Sequence, residues 1–103
     1  MTAQAVCLTL VVPHALRGDV FDYLSEQADL VVGFTASDAA GHGTRIQLRT
    51  AAERVKGYAD EVVVRLVLQE KDCERLLDRI RSAFAGTKLV YWVMPVTSSG
   101  VID

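Results

Sequence analysis

One apolar pattern occurs twice in this chain, and the repeat limits the folds open to it more than any single motif does. Val6, Leu8, Leu10, Val12, Val20, Phe21 and Leu24 return 56 positions later as Val62, Val64, Leu66, Leu68, Leu76, Leu77 and Ile80. The first four members of each set alternate, as a strand requires, and the last three share one stripe at helical spacing. Each half therefore reads as a strand and then a helix. The first strand covers Ala5–Val12. Pro13 suits a first helical turn and opens a helix to about Gln27, in which Gly18 costs about 1 kcal/mol against Ala. The second half gives a strand over Glu61–Gln69. Its helix has Glu70 and Asp72 at the start, Arg75, Arg79 and Arg81 further on, and Gly86 as its stop. A further strand follows each helix. Leu30–Ser37 is interrupted by Gly33, which suggests a bulge or the close approach of another backbone, and Lys88–Val96 closes the chain's apolar pattern.

A strand–helix–strand unit used twice gives a ferredoxin-like βαββαβ domain of the α+β class, a four-stranded antiparallel sheet with two helices on one face. The 103 residues form one domain, 1–103, large enough to bury a core without disulfides. Cys7 and Cys73 lie in apolar patterns and form no CxxC, so they read as small buried hydrophobes in a reduced, intracellular protein. Met1–Gln4 holds no basic region, and no apolar run approaches the ~20 residues that span a bilayer, so a cytoplasmic location is expected. Two helices cover one sheet face, yet Val11, Val63, Val67, Val90, Trp92 and Met94 point to the other. An apolar face of that size marks an interface, and an oligomer with its open faces packed together is expected.

Between the two halves, residues 38–59 read as one long polar loop, well beyond the roughly 4–6 residues of an ordinary connection. Arg45, Arg49, Arg54 and Lys56 make it cationic, while Ile46, Leu48, Val55 and Tyr58 give it more apolar content than a linker needs. This combination suits docking to another protein. The remaining sequence offers no reaction chemistry: no Walker loop, no supported Ser, His and acid set, no HExxH and no paired Cys and His cluster, so a non-enzymatic role is expected. A formal charge of −2 gives no general attraction to nucleic acid, and Tyr91 and Trp92 read as core and interface rather than as a stacking platform.

The order of elements, Gly33-Phe34-Thr35, Gly41-His42-Gly43 and the closing Tyr91-Trp92-Val93-Met94-Pro95-Val96 together resemble PII-like proteins over essentially the whole chain. Within that superfamily the chain is similar to a small bacterial family often encoded beside heavy-metal efflux pumps of the resistance-nodulation-division type. The resemblance implies a homotrimer, a PII T-loop at about 38–59, ligands in clefts between subunits, and a partner engaged through the loop, such as an efflux component. It also implies an adenine nucleotide as ligand, with Gly33-Phe34-Thr35 standing where PII proteins have Gly-Met-Thr. The chain departs from PII proteins at two places: their basic second loop is reduced to Ala85-Gly86-Thr87-Lys88, and their basic C-terminal stretch is replaced by Thr97–Asp103 without Lys or Arg.

The resulting ligand-binding candidates are Gly33, Thr35, Gly41, His42, Gly43, Arg45 and Lys88. Lys88, with the Gly86 and Thr87 amides, is placed to meet a phosphate, or else it deters edge pairing of the last strand. Gly41 and Gly43 leave the His42 imidazole on a loop tip, where it could ligate a divalent metal. The loop region supplies only Asp38, His42, Glu53 and Asp60 as ligands, so a metal site would gather copies of His42 from three subunits. This is the alternative function: a metal-binding or metal-buffering protein similar in architecture to CutA-like proteins. His14, beside Pro13, reads as surface.

Overall fold

The structure is a computed structural model and describes residues 4–44 and 46–103. Strand β1 (Ala5–Pro13) leads through a short 3-10 turn, His14–Leu16, into helix α1 (Arg17–Glu26). Then follow β2 (Thr35–Gly41), a short helix α2 (Ala51–Lys56), β3 (Ala59–Gln69), α3 (Glu70–Ala83) and β4 (Val90–Pro95). The strands form one sheet in the order β2-β3-β1-β4, every neighbouring pair antiparallel. This is the ferredoxin-like α+β arrangement that the repeat requires.

The register explains the repeat. Val6 faces Leu68 and Val12 faces Val62 across β1 and β3, so both alternating sets point to the same side of the sheet. There they meet Val20 and Leu24 of α1 and Cys73, Leu76, Leu77 and Ile80 of α3, and Leu8, Leu10, Val12, Val20, Leu24, Val64 and Leu76 are fully buried. Burying side chains of this size is worth roughly 1.5–3 kcal/mol each and carries the fold. A bidentate Arg79–Asp29 pair at 2.8 and 2.9 Å, and a bond of 3.3 Å from the Tyr23 hydroxyl to the Arg79 carbonyl, lock the two helical regions together. The Arg79 guanidinium holds the Asp29 carboxyl below the usual carboxylate range.

On the opposite side, Cys7, Thr9 and Val11 face Met94, Trp92 and Val90. Trp92 is 44% exposed and Met94 56%, so the open face is apolar and uncovered in the single chain. The segment beyond Val96 leaves it bare, with Val101 and Ile102 themselves exposed. Both cysteines are free thiols. Cys73 is buried, which pushes its thiol up, and Cys7 is half-buried.

Several features differ from the sequence reading, and the first is that Pro13 ends β1 opposite Glu61 rather than opening a helix, so that α1 begins only at Arg17. The second strand begins at Thr35, five residues after the expected Leu30. Leu30 and Val31 do enter the core, but from a turn in which both amides donate to the Gln27 carbonyl at 2.9 and 2.8 Å. Gly33 lies before the strand rather than in it, and a Cβ there would touch nothing within 4 Å, so it answers no close approach. Finally, the loop is shorter than expected and partly helical: β2 runs on to Gly41, α2 occupies residues 51–56, and β3 already begins at Ala59.

Candidate functional site

Helix α2 exists because both of its ends are capped. Thr50 takes extended backbone, accepts the Glu53 amide on its hydroxyl at 3.0 Å and donates its own amide to Glu53 Oε1 at 3.0 Å, a complete capping box. Gly57 closes the helix at φ +83, a conformation that costs glycine little. Glu53 does more than cap. Oε1 also accepts the Arg49 amide at 2.7 Å, and Oε2 accepts the Asp60 amide at 2.5 Å. One carboxylate, only 4% exposed, thus ties the segment before α2 to the start of β3. Those backbone donors, led by Asp60 and Arg49, hold its carboxyl below the ordinary value. Lys56 bridges Asp60 at 2.7 Å and lies over the Tyr58 ring, which in turn meets the His42 ring at 5.3 Å between centroids.

Latched in this way, the segment stands over the end of the open sheet face and encloses a cleft of about 230 Å³. One wall is the segment itself: Ile46, Gln47, Arg49, Thr50 and Glu53. The other is the sheet end: Val11, Pro13 and His14 leaving β1, Ala59–Glu61 entering β3, and Thr87, Lys88 and Val90 entering β4. Lys88 takes the left-handed backbone at φ +60 although it is not glycine. Glu61 lies against Gly41, where a Cβ would overlap its carboxylate and turn that side chain aside. Burial first, and the nearby Glu53 charge second, push the Glu61 carboxyl up. His14 is exposed, with Nδ1 3.0 Å from Arg17 Nη1.

The structure divides the candidate residues. Lys88 lines the cleft, and Gly41 bounds it through Glu61. His42 and Gly43 follow at the loop's start, with His42 exposed beside Tyr58. Gly33 and Thr35 lie at the far end of β2: Thr35 faces Arg65 while Gly41 faces Ala59, and six residues of strand separate them by roughly 20 Å. Phe34 between them stacks on Phe21 in the core, at 5.7 Å between ring centroids. Arg45 falls outside the described residues. Of the carboxylates considered as metal ligands, Glu53 is already committed to backbone amides and Asp60 to Lys56. Among the described residues, no three His, Cys, Asp or Glu side chains are grouped to hold a metal ion. The sequence reading did not single out Glu53, Thr50 or Glu61 for the cleft. The T-x-x-E signature at Thr50–Glu53 was the available signal.

The βαββαβ fold is similar to that of solved PII-like and CutA proteins. The chain itself belongs to the family described as "protein of unknown function (DUF3240)", which it matches over residues 2–103. A DUF3240 family protein from Shewanella baltica OS155 has the same fold, at 16% identity with full coverage of both chains and a TM-score of 0.78. CPII, a nitrogen regulatory PII-like protein from Thiomonas intermedia K12 bound to ADP, AMP and bicarbonate, gives 18% identity and a TM-score of 0.69, covering 96% of this chain and 97% of that one. CutA from Synechococcus elongatus PCC7942 gives 13% identity and a TM-score of 0.70, covering 97% and 87%. No curated protein matches the sequence. Among the described residues no helix is long and apolar enough to cross a membrane.

Proposed function

We propose that this chain is a non-enzymatic, PII-like signalling subunit that works as a homotrimer. In it, a small anionic ligand occupies the cleft and sets the position of residues 42–58, which engage a partner such as a heavy-metal efflux component. The observation that carries this reading is the composition of the cleft walls. Lys88 on the sheet end and Arg49 on the latched segment share the lining with Glu53, Asp60 and Glu61. Glu53 is committed to backbone amides and Asp60 to Lys56, so an anion held by both Lys88 and Arg49 is bound more tightly when the segment is closed. A ligand with that preference shifts the segment's equilibrium; one with equal affinity for both positions shifts nothing. An adenine nucleotide offers suitable phosphates. The trimer is supported by the bare apolar face around Trp92, which the single chain leaves uncovered.

The test combines native mass spectrometry with limited proteolysis, using a panel of adenine nucleotides and divalent metals. A retained nucleotide should slow cleavage within 42–58, by at most about 100-fold at a concentration of 100 Kd, the limit for a ligand that leaves the open segment entirely. Bound nucleotide with unchanged cleavage would refute the coupling. The CutA-like alternative rests on His42, which is exposed at the loop's start. Metal retained by the native protein and lost on His42→Ala would favour it.

A further inference from the structure

The 42–58 segment differs in charge from the body that carries it. It holds four basic residues and one acid, a net +3, whereas the rest of the chain holds seven basic and twelve acidic residues, a net −5. The single acid, Glu53, is buried and turned inward to backbone amides, so the charges that the described residues of the segment present to solvent are those of Arg49, Arg54 and Lys56, the last shared with Asp60 just beyond it. Helix α2 shows to solvent Ala51, Ala52, Arg54, Val55 and Lys56, and Val55 is 88% exposed. Among the described residues, neither Arg49 nor Arg54 enters an ion pair.

Resting on the docking role proposed above, we infer that the partner presents an acidic peptide surface to the outer face of α2, with an apolar contact for Val55 at its centre. Charge decides between the partners a cationic segment might take. An anionic membrane or a nucleic acid extends over the whole protein and would repel the acidic body, whereas a narrow acidic peptide meets only the segment. Membrane binding also needs a broad apolar face or aromatic anchors, and here Val55 stands alone while Tyr58 is covered by His42 and Lys56. The acidic body serves a second purpose in this arrangement: it steers an acidic partner away from every surface except α2.

The experiment uses fluorescence anisotropy on the full chain without added ligand. Its probes are a labelled peptide of Glu and Asp interspersed with Leu, the same peptide with Gln and Asn, and vesicles of phosphatidylcholine containing phosphatidylserine. The acidic peptide should bind, weaken steeply with salt, and lose on the order of tenfold in affinity on Arg54→Glu with Val55→Glu. The control Lys71→Glu with Arg75→Glu, on α3, should leave affinity unchanged, and Val55→Ser should weaken binding without altering charge. Equal binding of the neutral peptide, equal loss from the α3 control, or preference for the vesicles would overturn the inference. So would salt-sensitive self-association of the chain in place of peptide binding. Ligand-dependent protection of 42–58 is measured separately, so its persistence without peptide binding would refute only the partner's chemistry. Its absence would refute the signalling reading.

Discussion

Lys88 occupies backbone space that glycine enters without cost, and its side chain lines the cleft. A non-glycine residue at φ +60 carries a penalty of about 1–2 kcal/mol. Lys88→Gly should therefore raise stability by about 1 kcal/mol, a rise of roughly 4–8 °C in thermal midpoint, while weakening any anion in the cleft. Opposite signs in the two measurements separate backbone strain from side-chain function, and a loss of both would place Lys88 in the scaffold instead. The two neighbouring carboxylates should also answer pH in opposite senses. Glu53 is held below its ordinary value of 4.5, so its contribution is complete above that value and is lost as pH falls through the lower folded one. The Arg49, Thr50 and Asp60 amide resonances should follow that loss with a midpoint below 4.5. Glu61 is raised above the same reference, so its ionised form opposes folding at neutral pH and Glu61→Gln should stabilise the protein there. A destabilised Glu61→Gln would show that its charge has a partner in the native assembly.

Elements defined by burial were readable in the sequence, and those defined by hydrogen bonds were not. Strands β1 and β3 and helix α3 carry long apolar patterns, and their boundaries fell within a residue or two. Strand β2, Thr-Ala-Ser-Asp-Ala-Ala-Gly, is an exposed edge with no pattern of its own. Its pairing with β3 places it, while the apolar Leu30–Val32 run that drew the strand upstream belongs to a turn. That displacement also moved Gly33 and Thr35 away from the cleft. Helix α2 was hidden in a different way: six residues give too few turns for periodicity, and its existence depends on caps. Thr50→Ala should accordingly cost about 1 kcal/mol and open the segment locally, speeding hydrogen exchange at the Glu53 amide while α1 and α3 stay protected. Uniform loss of protection would show α2 to be part of the global core.

At the level of the assembled molecule, the open face decides between monomer and oligomer. Trp92→Asp places a charge opposite Thr9 in the middle of that face, where the single chain tolerates it and a packed interface does not. The variant should remain folded by circular dichroism yet appear as a monomer in native mass spectra, and an unchanged oligomer would place the interface elsewhere. The fold class was legible because the repeat fixed the topology. The cleft was not, because it arises where three strand ends and the latched segment converge from distant parts of the sequence.

The ladders of the sheet join the halves in one further respect. Strand β1 pairs with β3 and β4, and β2 pairs with β3, so no strand is bonded to another from its own half. Thr9 faces Arg65 and Tyr23 touches Arg79, two pairs each related by the repeat of 56, so a pseudo-twofold axis runs through both contacts. The chain is thus folded like an isologous dimer whose protomers share one covalent tether. Severing that tether inside 42–58 would leave two fragments held together by every ladder of the sheet, so a nicked protein is expected to keep its scaffold in native mass spectra while losing its loop.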